Sequence, residues 1–222
     1  SFFENEIDLI KSNKKKKTKI VYFSTIHIYR NYSSKKSNYS SLNKSNSHYA
    51  VRNIICENIL LKKFYKSRNE IQIIRLANIF GVVKNYKLNF NSSMFELAIN
   101  QFCLKALKDE TIVLHSNKNE KRNYVSINDF VYFLTECFIN KKIKLPPVIN
   151  YAAKKPISLS RVIKILRNEI KELYNKSLKI KFMNIVKNSK INYNFDINDI
   201  EQRNLNPKIS IKAEIRNSLK KM

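Results

Sequence analysis

Glycine is almost missing from this chain, which has one glycine, Gly81, in 222 residues. A loop that wraps a dinucleotide phosphate needs several glycines, because the backbone approaches the phosphate closely only where no Cβ intervenes. The sequence therefore contains no glycine-rich phosphate loop. Long apolar runs are also missing: the longest unbroken run, at 130–134, has five residues, and a helix that crosses a bilayer needs roughly 20. We expect no membrane-spanning helix.

Cysteines are few and widely spaced. Cys56, Cys103 and Cys137 lie inside apolar helical patterns, and no Cys-x-x-Cys pair is present, which excludes the common zinc and redox motifs. The histidines, His27, His48 and His115, do not have metal-ligand spacing either. We therefore predict buried free thiols, a reducing cytoplasmic compartment and no metal site.

Acidic residues are few: the chain has 17 Asp and Glu compared with 43 Lys and Arg, which gives a formal charge of +26. A basic surface can release counterions from nucleic-acid phosphates, so nucleic-acid binding is one reading of this excess. However, Lys, Asn and Ile are overused along the whole chain, and the one dense basic run is at 14–17. This favours a solvated charge that follows from composition, with nucleic acid as the alternative partner.

Apolar residues make up 43% of the chain, enough for one sizeable domain or two small ones. Patterns of period 2 and period 3.6 alternate, which is typical of an α/β fold. We predict strands at 20–24, 71–76, 111–115, 123–127, 148–151 and 180–183, and helices at 47–65, 93–107, 129–139, 158–174, 197–203 and 211–220. The helix at 47–65 is expected to pack through the side that carries Val51, Ile54, Ile55, Asn58, Ile59 and Lys62.

Hydroxyl side chains end the first predicted strand. Ser24 and Thr25 lie where the carboxyl edge of a doubly wound sheet forms a ligand crevice, and Tyr49 follows at the start of the next helix. Asn53 is four residues further on and therefore shares a helix face with Tyr49. Taken singly, each feature also has a structural reading, in which the hydroxyls bond nearby backbone and the tyrosine packs on the surface.

The segments Val21-Tyr-Phe-Ser-Thr-Ile-His-Ile-Tyr29 and Tyr49-Ala-Val-Arg-Asn-Ile-Ile-Cys-Glu57 resemble the catalytic half of the extended short-chain dehydrogenase/reductase superfamily, in its NAD-dependent epimerase/dehydratase family. The resemblance implies catalytic roles for Tyr49 as acid/base, Thr25 as holder of the substrate oxygen, and Asn53 at the place of the family lysine. It also implies that Ser24, Tyr49 and Asn53 face the cofactor. Asn53 and Arg30, which stands where the family has a glycine, depart from the pattern.

Four later segments keep the order of that family. Ile74-Arg-Leu-Ala-Asn-Ile-Phe-Gly81 resembles the segment whose asparagine, here Asn78, contacts substrate. Lys121-Arg-Asn-Tyr-Val-Ser-Ile-Asn-Asp129 resembles the segment whose arginine, here Arg122, binds the nucleotide phosphates, and Asn123 replaces the usual aspartate in it. The segments at 148–160 and 195–207 look like the strand, capped helix and proline turn that complete the family's substrate domain.

The resemblance implies a fold and a function. The expected fold is the C-terminal part of a Rossmann-like doubly wound parallel sheet at 1–81, followed by a smaller α/β substrate-binding domain at 82–222, with 121–152 partly returning to the sheet. The expected cofactor is NAD or NADP, and the expected partner is a nucleotide sugar that serves surface polysaccharide biosynthesis. The first βαβ units with their glycine-rich loop are expected to be missing, so the 222 residues are expected to bind NAD weakly.

Two alternatives stay open. Asn53 supplies no positive charge to lower the pKa of the Tyr49 phenol, so the chain could be a non-catalytic relative that binds RNA or another polyanion. It could also be a structural partner that completes a sheet in trans or forms a homodimer through an exposed strand edge.

Overall fold

The computed structural model describes residues 5, 7–8, 18–29, 47–64, 70–82, 97–115, 117–139, 143–183 and 194–222. Arg30, the basic run at 14–17 and the polar loop at 31–46 lie outside these residues, as does the predicted start of the helix at 93. The predictions made for them therefore stay predictions.

A parallel sheet forms the first layer of the molecule. Its strands are β1 (Lys19–Thr25), β2 (Glu70–Leu76) and β7 (Val148–Tyr151), in the order β1-β2-β7. Strand β2 lies between the other two strands, and its buried residues are Gln72, Ile73, Ile74 and Arg75, of which the two isoleucines are fully inaccessible to solvent. This burial is expected for a parallel strand covered on both faces. The α/β prediction is confirmed.

Six shorter strands pair in twos. Strands β3 (Asn78–Phe80) and β6 (Tyr124–Ser126) are parallel, as are β4 (Ile112–Leu114) and β9 (Ile180–Phe182), and β5 (Lys121–Arg122) is antiparallel to β8 (Ile157–Ser158). The strand predicted at 123–127 is confirmed as β6, which is one residue shorter at each end, and the separate short strand β5 before it was not predicted. Asn123 separates β5 from β6, because its side-chain amide bonds the backbone of Ala153 while its own carbonyl accepts from Asn78.

Helices connect and cover these strands. They are α1 (His48–Phe64), α2 (Ala98–Leu107), α3 (Ile127–Ile139), α4 (Leu159–Tyr174), α5 (Asn198–Glu201) and α6 (Ile211–Lys221), and a 3-10 helix, η1 (Ile26–Ile28), follows β1 directly. Helix α1 carries the chain from β1 to the parallel strand β2, which makes a βαβ unit. It packs on β1, β2 and η1, and so places its first turn beside the end of β1.

Two apolar clusters form the main core. One surrounds the central sheet and includes Ile74, Phe133 and Tyr151, and the other packs α2, α4 and α6 together through residues such as Phe102 and Ile215. Strand β7 lies far along the chain yet joins the central sheet. The division into domains at 81 and 82, with a partial return of 121–152 to the first domain, stays a prediction.

The predicted packing side of α1 is wrong. The buried residues are Ala50, Asn53, Glu57, Leu60 and Phe64. Val51 and Ile55, which were expected inside, are 39% and 52% exposed. The reason is that Asn53 and Glu57 find hydrogen-bonding partners on the sheet, and a pattern of apolar residues carries no information about such partners.

Candidate active site

Thr25 lies at the carboxyl end of β1, where it is 4% exposed. Its hydroxyl accepts a hydrogen bond from the backbone N–H of His27 at 3.2 Å, and so caps η1. The residue before it, Ser24, points to the opposite face of the sheet, because successive side chains of a strand alternate. The Ser24 and Thr25 hydroxyls are adjacent in the sequence but therefore lie in different environments.

Tyr49 is in the first turn of α1, with 49% of its surface exposed. Its ring lies under the Arg52 guanidinium, whose central carbon is 5.6 Å from the ring centroid, a favourable cation-π geometry. The phenol oxygen has no hydrogen-bond partner among the described residues. Tyr49 therefore presents a free phenol to solvent, with a positive charge nearby.

Asn53 faces the protein interior. It is 3% exposed, its Oδ1 accepts from the Tyr22 hydroxyl at 2.9 Å, and its Nδ2 donates to the backbone oxygen of Tyr49 at 2.8 Å. Burial, followed by the neighbouring Cys56 and Glu57, raises the pKa of Tyr22, so this phenol stays neutral and donates. The Oδ1 atom of Asn53 thus binds α1 to β1, and its Nδ2 atom binds the preceding turn of α1 itself.

A buried polar network lies beneath this helix. The Ser24 hydroxyl donates to Glu57 Oε1 at 2.5 Å, and the Arg75 guanidinium holds the same carboxylate through Nη2–Oε2 at 2.6 Å and Nε at 3.1 and 3.2 Å. Arg75 also donates to the Tyr29 hydroxyl, which donates to Asn150 Oδ1 at 2.6 Å. The network joins α1 to all three strands of the sheet, so it fixes where Tyr49 stands relative to Thr25.

The sequence analysis gave Glu57 and Arg75 no role, although one signal was present. Arg75 is a charged residue beside the apolar pair Ile73 and Ile74 of β2, and a buried charge requires a partner. Glu57 is one turn after Asn53 and two turns after Tyr49 on the same side of α1. The pairing itself could not be read from the sequence, because 18 residues separate the two side chains along the chain.

Asn78, His27 and Arg122 come together next to this edge of the sheet. Asn78 Nδ2 donates to the Asn123 carbonyl at 2.9 Å, and its side chain also hydrogen-bonds His27. Desolvation lowers the pKa of His27, the positive charge of Arg122 lowers it further, and the bond to Asn78 opposes both effects. The His27 ring still has an accessible side, so it can contact a ligand in its neutral form.

Asn123 stands where the family has an aspartate, and the ion-pair partner of Arg122 is Glu120. Arg122 Nε and Nη2 both lie 3.2 Å from Glu120 Oε1, and the Arg122 side chain is 36% exposed. It also lies against Tyr124, whose pKa is raised chiefly by burial and lowered in part by this guanidinium. The side-chain amide of Asn123 forms two hydrogen bonds with the backbone of Ala153. Its Nδ2 donates to the Ala153 oxygen and its Oδ1 accepts from the Ala153 N–H, both at 2.8 Å.

The predicted site residues therefore fall into two groups. Thr25, Asn78 and Arg122 each interact with His27, and Tyr49 is half exposed at the start of α1. Ser24 and Asn53 point to the layer between β1 and α1, where protein groups satisfy them. Their expected contacts with a cofactor stay predictions.

Among the described residues no group of three or more His, Cys, Asp or Glu is arranged to hold a metal ion. Cys56, Cys103 and Cys137 are free thiols, and burial raises the pKa of Cys103 to about 12, with the nearby Glu214 adding to the shift. None of the described helices combines the length and apolar character needed to traverse a membrane.

Residues 3–150 match the model of the NAD dependent epimerase/dehydratase family. The chain belongs to this family, and the resemblance found in its sequence is confirmed. Because the family is NAD-dependent by description, the expectation of a nicotinamide cofactor is confirmed at the level of the family. No match was found among the curated protein sequences.

Solved structures with similar folds include an NAD-dependent NDP-hexosamine 5,6-dehydratase, TunA, involved in tunicamycin biosynthesis (TM-score 0.75, 19% identity, 98% of this chain and 67% of that chain). Another is the UDP-N-acetylglucosamine 4-epimerase from Methanobrevibacter ruminantium M1 in complex with UDP-N-acetylmuramic acid (0.77, 16%, 98% and 66%). A third is the UDP-glucuronic acid 4-epimerase from Bacillus cereus in complex with UDP-glucuronic acid and NAD (0.76, 17%, 98% and 65%). The chain spans about two thirds of their length.

Proposed function

We propose that this chain provides the proton-transfer and substrate-binding part of an NAD-dependent enzyme that epimerises or dehydrates a nucleotide sugar for surface polysaccharide biosynthesis. The observation that carries the proposal is the exposed phenol of Tyr49, which has no hydrogen-bond partner among the described residues, in the first turn of the helix that packs on β1 and η1. Family membership and the similar folds of sugar-nucleotide enzymes support it.

Tyr49 would remove a proton from a sugar hydroxyl and return it. An unperturbed phenol has a pKa of about 10, so this step needs a nearby positive charge to favour the phenolate. Asn53 is neutral and turned inward, whereas the Arg52 guanidinium lies over the Tyr49 ring. We assign to Arg52 the electrostatic role that the family lysine would have, and to Thr25 the role of holding the reacting oxygen.

Arg122 and Asn78 would bind the rest of the substrate. A guanidinium matches the geometry of a diphosphate, and the Arg122 side chain is 36% exposed, so part of it can reach a ligand. Glu120 holds the guanidinium by one edge, which orients it. His27, kept neutral by desolvation and by Arg122, can donate or accept a hydrogen bond to a sugar hydroxyl.

The described residues fit only one end of a nicotinamide dinucleotide. The one glycine of the chain, Gly81, is crowded by Glu214 and forms no phosphate loop, and the Asn53 amide is already satisfied. Tyr49 is the residue that remains open to the cofactor. When bound, a nicotinamide accepts and returns hydride. We expect binding of NAD to these 222 residues to be weaker than about micromolar, as calorimetric titration would show.

The test begins with binding, because it requires no cofactor. UDP-N-acetylglucosamine is titrated into the chain by calorimetry, and Arg122→Gln is expected to weaken binding by about tenfold or more through loss of a bidentate phosphate contact. Turnover of the same sugar with added NAD is followed by chromatography. Tyr49→Phe is expected to lower kcat by about a hundredfold or more and to leave KM nearly unchanged, because a general acid/base is removed.

Tyr132→Phe is the matched control, since Tyr132 is an exposed tyrosine on α3 away from the crevice. It should change neither kcat nor KM. Turnover that persists in Tyr49→Phe would contradict the assignment of the proton-transfer residue. Absence of sugar-nucleotide binding together with tight, salt-dependent binding of generic RNA would favour the non-catalytic alternative.

A further inference from the structure

A groove of about 500 Å³ lies between β5, the turn before β8, and the first turns of α4 and α6. Four of its ten lining residues are Lys or Arg, compared with 43 of 222 in the whole chain, and none is Asp or Glu. These residues are Lys121, Lys155, Arg161 and Lys212. The concentration of positive charge in this groove is therefore higher than composition alone provides.

The four cations come from separate parts of the chain and all are exposed. Lys121, Lys155 and Arg161 have no ion-pair partner among the described residues. Lys212 Nζ lies 3.6 Å from Glu169 Oε1, a carboxylate that Arg216 also holds. Like charges that face one groove without counter-charges repel each other, and an anion bound between them removes that repulsion.

The rest of the lining indicates which kind of anion fits. Ile157, Ile165 and Ile211 contribute apolar surface, and no aromatic side chain lines the groove. Nucleobases of single strands bind by stacking on aromatic rings, so this groove offers contacts to phosphate and not to bases. Helix α6 begins at Ile211 after its Ser210 cap, and the positive end of the helix adds to the field.

The groove is separate from the proposed substrate site. Lys121 and Arg122 are neighbours in β5 and point to opposite sides, as successive residues of a strand do. Arg122 lies with Glu120, Tyr124 and His27, whereas Lys121 lines the groove. A ligand in the groove would therefore not occupy the position assigned to the nucleotide sugar.

We propose that this groove is a second anion site, which binds a small anion with two neighbouring phosphate groups. Lys121, Lys155, Arg161 and Lys212 are the residues that we assign to the phosphates, because all four line the groove. The site goes beyond the proposed enzymatic function and does not depend on it.

The test uses pyrophosphate as the probe and the full 222-residue chain. Binding is measured by calorimetry at about 0.15 M salt in the wild type and in the double variant Lys121→Gln/Arg161→Gln, which is expected to bind about tenfold more weakly because two charge-assisted contacts are lost. The matched control is Lys164→Gln/Arg167→Gln, which removes the same charge from exposed positions of α4 outside the groove. It should bind within about twofold of the wild type, because a general field effect is screened by salt.

A third variant, Arg122→Gln, separates this site from the substrate site and should retain pyrophosphate binding. If Arg122→Gln abolishes binding while Lys121→Gln/Arg161→Gln does not, pyrophosphate binds at the substrate site, which overturns the groove and leaves the proposed function intact. Equal losses in both double variants would show an unspecific charge effect and would also overturn it. Binding of oligouridylate that depends on Lys121 and Arg161, without binding of pyrophosphate, would make the groove a nucleic-acid site instead.

Discussion

Two buried carboxylates, one in each core, are stabilised in different ways. Glu57 lies under the central sheet and is paired with Arg75, with Nη2 and Oε2 2.6 Å apart. Glu214 lies beside the second core and accepts hydrogen bonds from the Ser126 hydroxyl at 2.6 Å and the Asn128 amide at 3.0 Å. No cation pairs with Glu214 in the part of the chain that the structure describes.

Position along the helix explains the difference. Glu214 is in the first turn of α6, where unpaired N–H groups carry a partial positive charge, so neutral donors are enough to complete its stabilisation. Glu57 is in the middle of α1, where no such field exists, so a full cation is required. The same side chain thus needs a salt bridge in one place and only hydroxyl and amide donors in the other.

The largest expected effect comes from Glu57→Gln. The change leaves the Arg75 guanidinium, 1% exposed, without a counter-charge, and breaking a buried pair in this way costs about 3–5 kcal/mol. The free energy of unfolding measured in urea should fall by that amount. A loss below about 1 kcal/mol would show that Arg75 is not buried as described.

A double variant sharpens this prediction. Glu57→Leu combined with Arg75→Met removes both charges and keeps much of the volume, so it should be more stable than Glu57→Gln alone. The two results together measure how much of the loss comes from the unpaired cation and how much from the missing contacts.

Gly81→Ala is expected to have the next largest effect. Gly81 has φ +113°, and an added Cβ would lie 2.2 Å from Glu214 Oε1. Strain in the backbone and displacement of a buried carboxylate together should cost about 2–4 kcal/mol, as thermal unfolding would show.

The background variant Glu214→Ala identifies the source of that cost. It removes the three side-chain atoms nearest to the added Cβ, so Gly81→Ala should cost less in this background, with the backbone strain remaining. An unchanged cost would mean that the carboxylate is not what excludes a side chain at position 81.

Asn123→Asp should have an intermediate effect, at the contact between the two cores. The amide donates to the Ala153 oxygen and accepts from the Ala153 N–H, and a carboxylate can do only the second. Two facing acceptors should cost about 1–3 kcal/mol in urea unfolding. The control is Asn119→Asp at an exposed position. An equal loss in the free energy of unfolding there would argue against the two hydrogen bonds between Asn123 and Ala153 as the cause.

Glu214→Gln should have the smallest effect, about 1 kcal/mol or less. The amide oxygen can still accept from Ser126 and Asn128, and no buried cation loses its partner. If this variant were as unstable as Glu57→Gln in the same urea series, the proposed difference between the two carboxylates would be wrong.

Much of the fold could be predicted from the sequence, because it depends on local patterns. The isoleucines of β2 and the period of α1 predicted a strand and a helix at these places, and the helix bounds differ from the prediction by only one residue at each end. The packing side of α1 could not be predicted, because Asn53 and Glu57 are buried by partners that lie 31 and 18 residues away.

The sequence also supplied most of the candidate site. Ordered motifs indicated Thr25, Tyr49, Asn78 and Arg122, whose roles stay predictions. The alternation of β1, which turns Ser24 away from Thr25, acts only once the strand has neighbours on both faces. The contact between Arg52 and the Tyr49 ring depends on helix geometry, and no motif marks it.

The sequence by itself determined the family, the α/β class and the order of the motifs, because these follow from residue types and their spacing. Only the tertiary structure decided that Asn53 and Ser24 point inward, that Arg75 neutralises Glu57, and that four cations line one groove. Burial and electrostatic pairing join residues that are distant along the chain, so their partners are defined only by the folded arrangement.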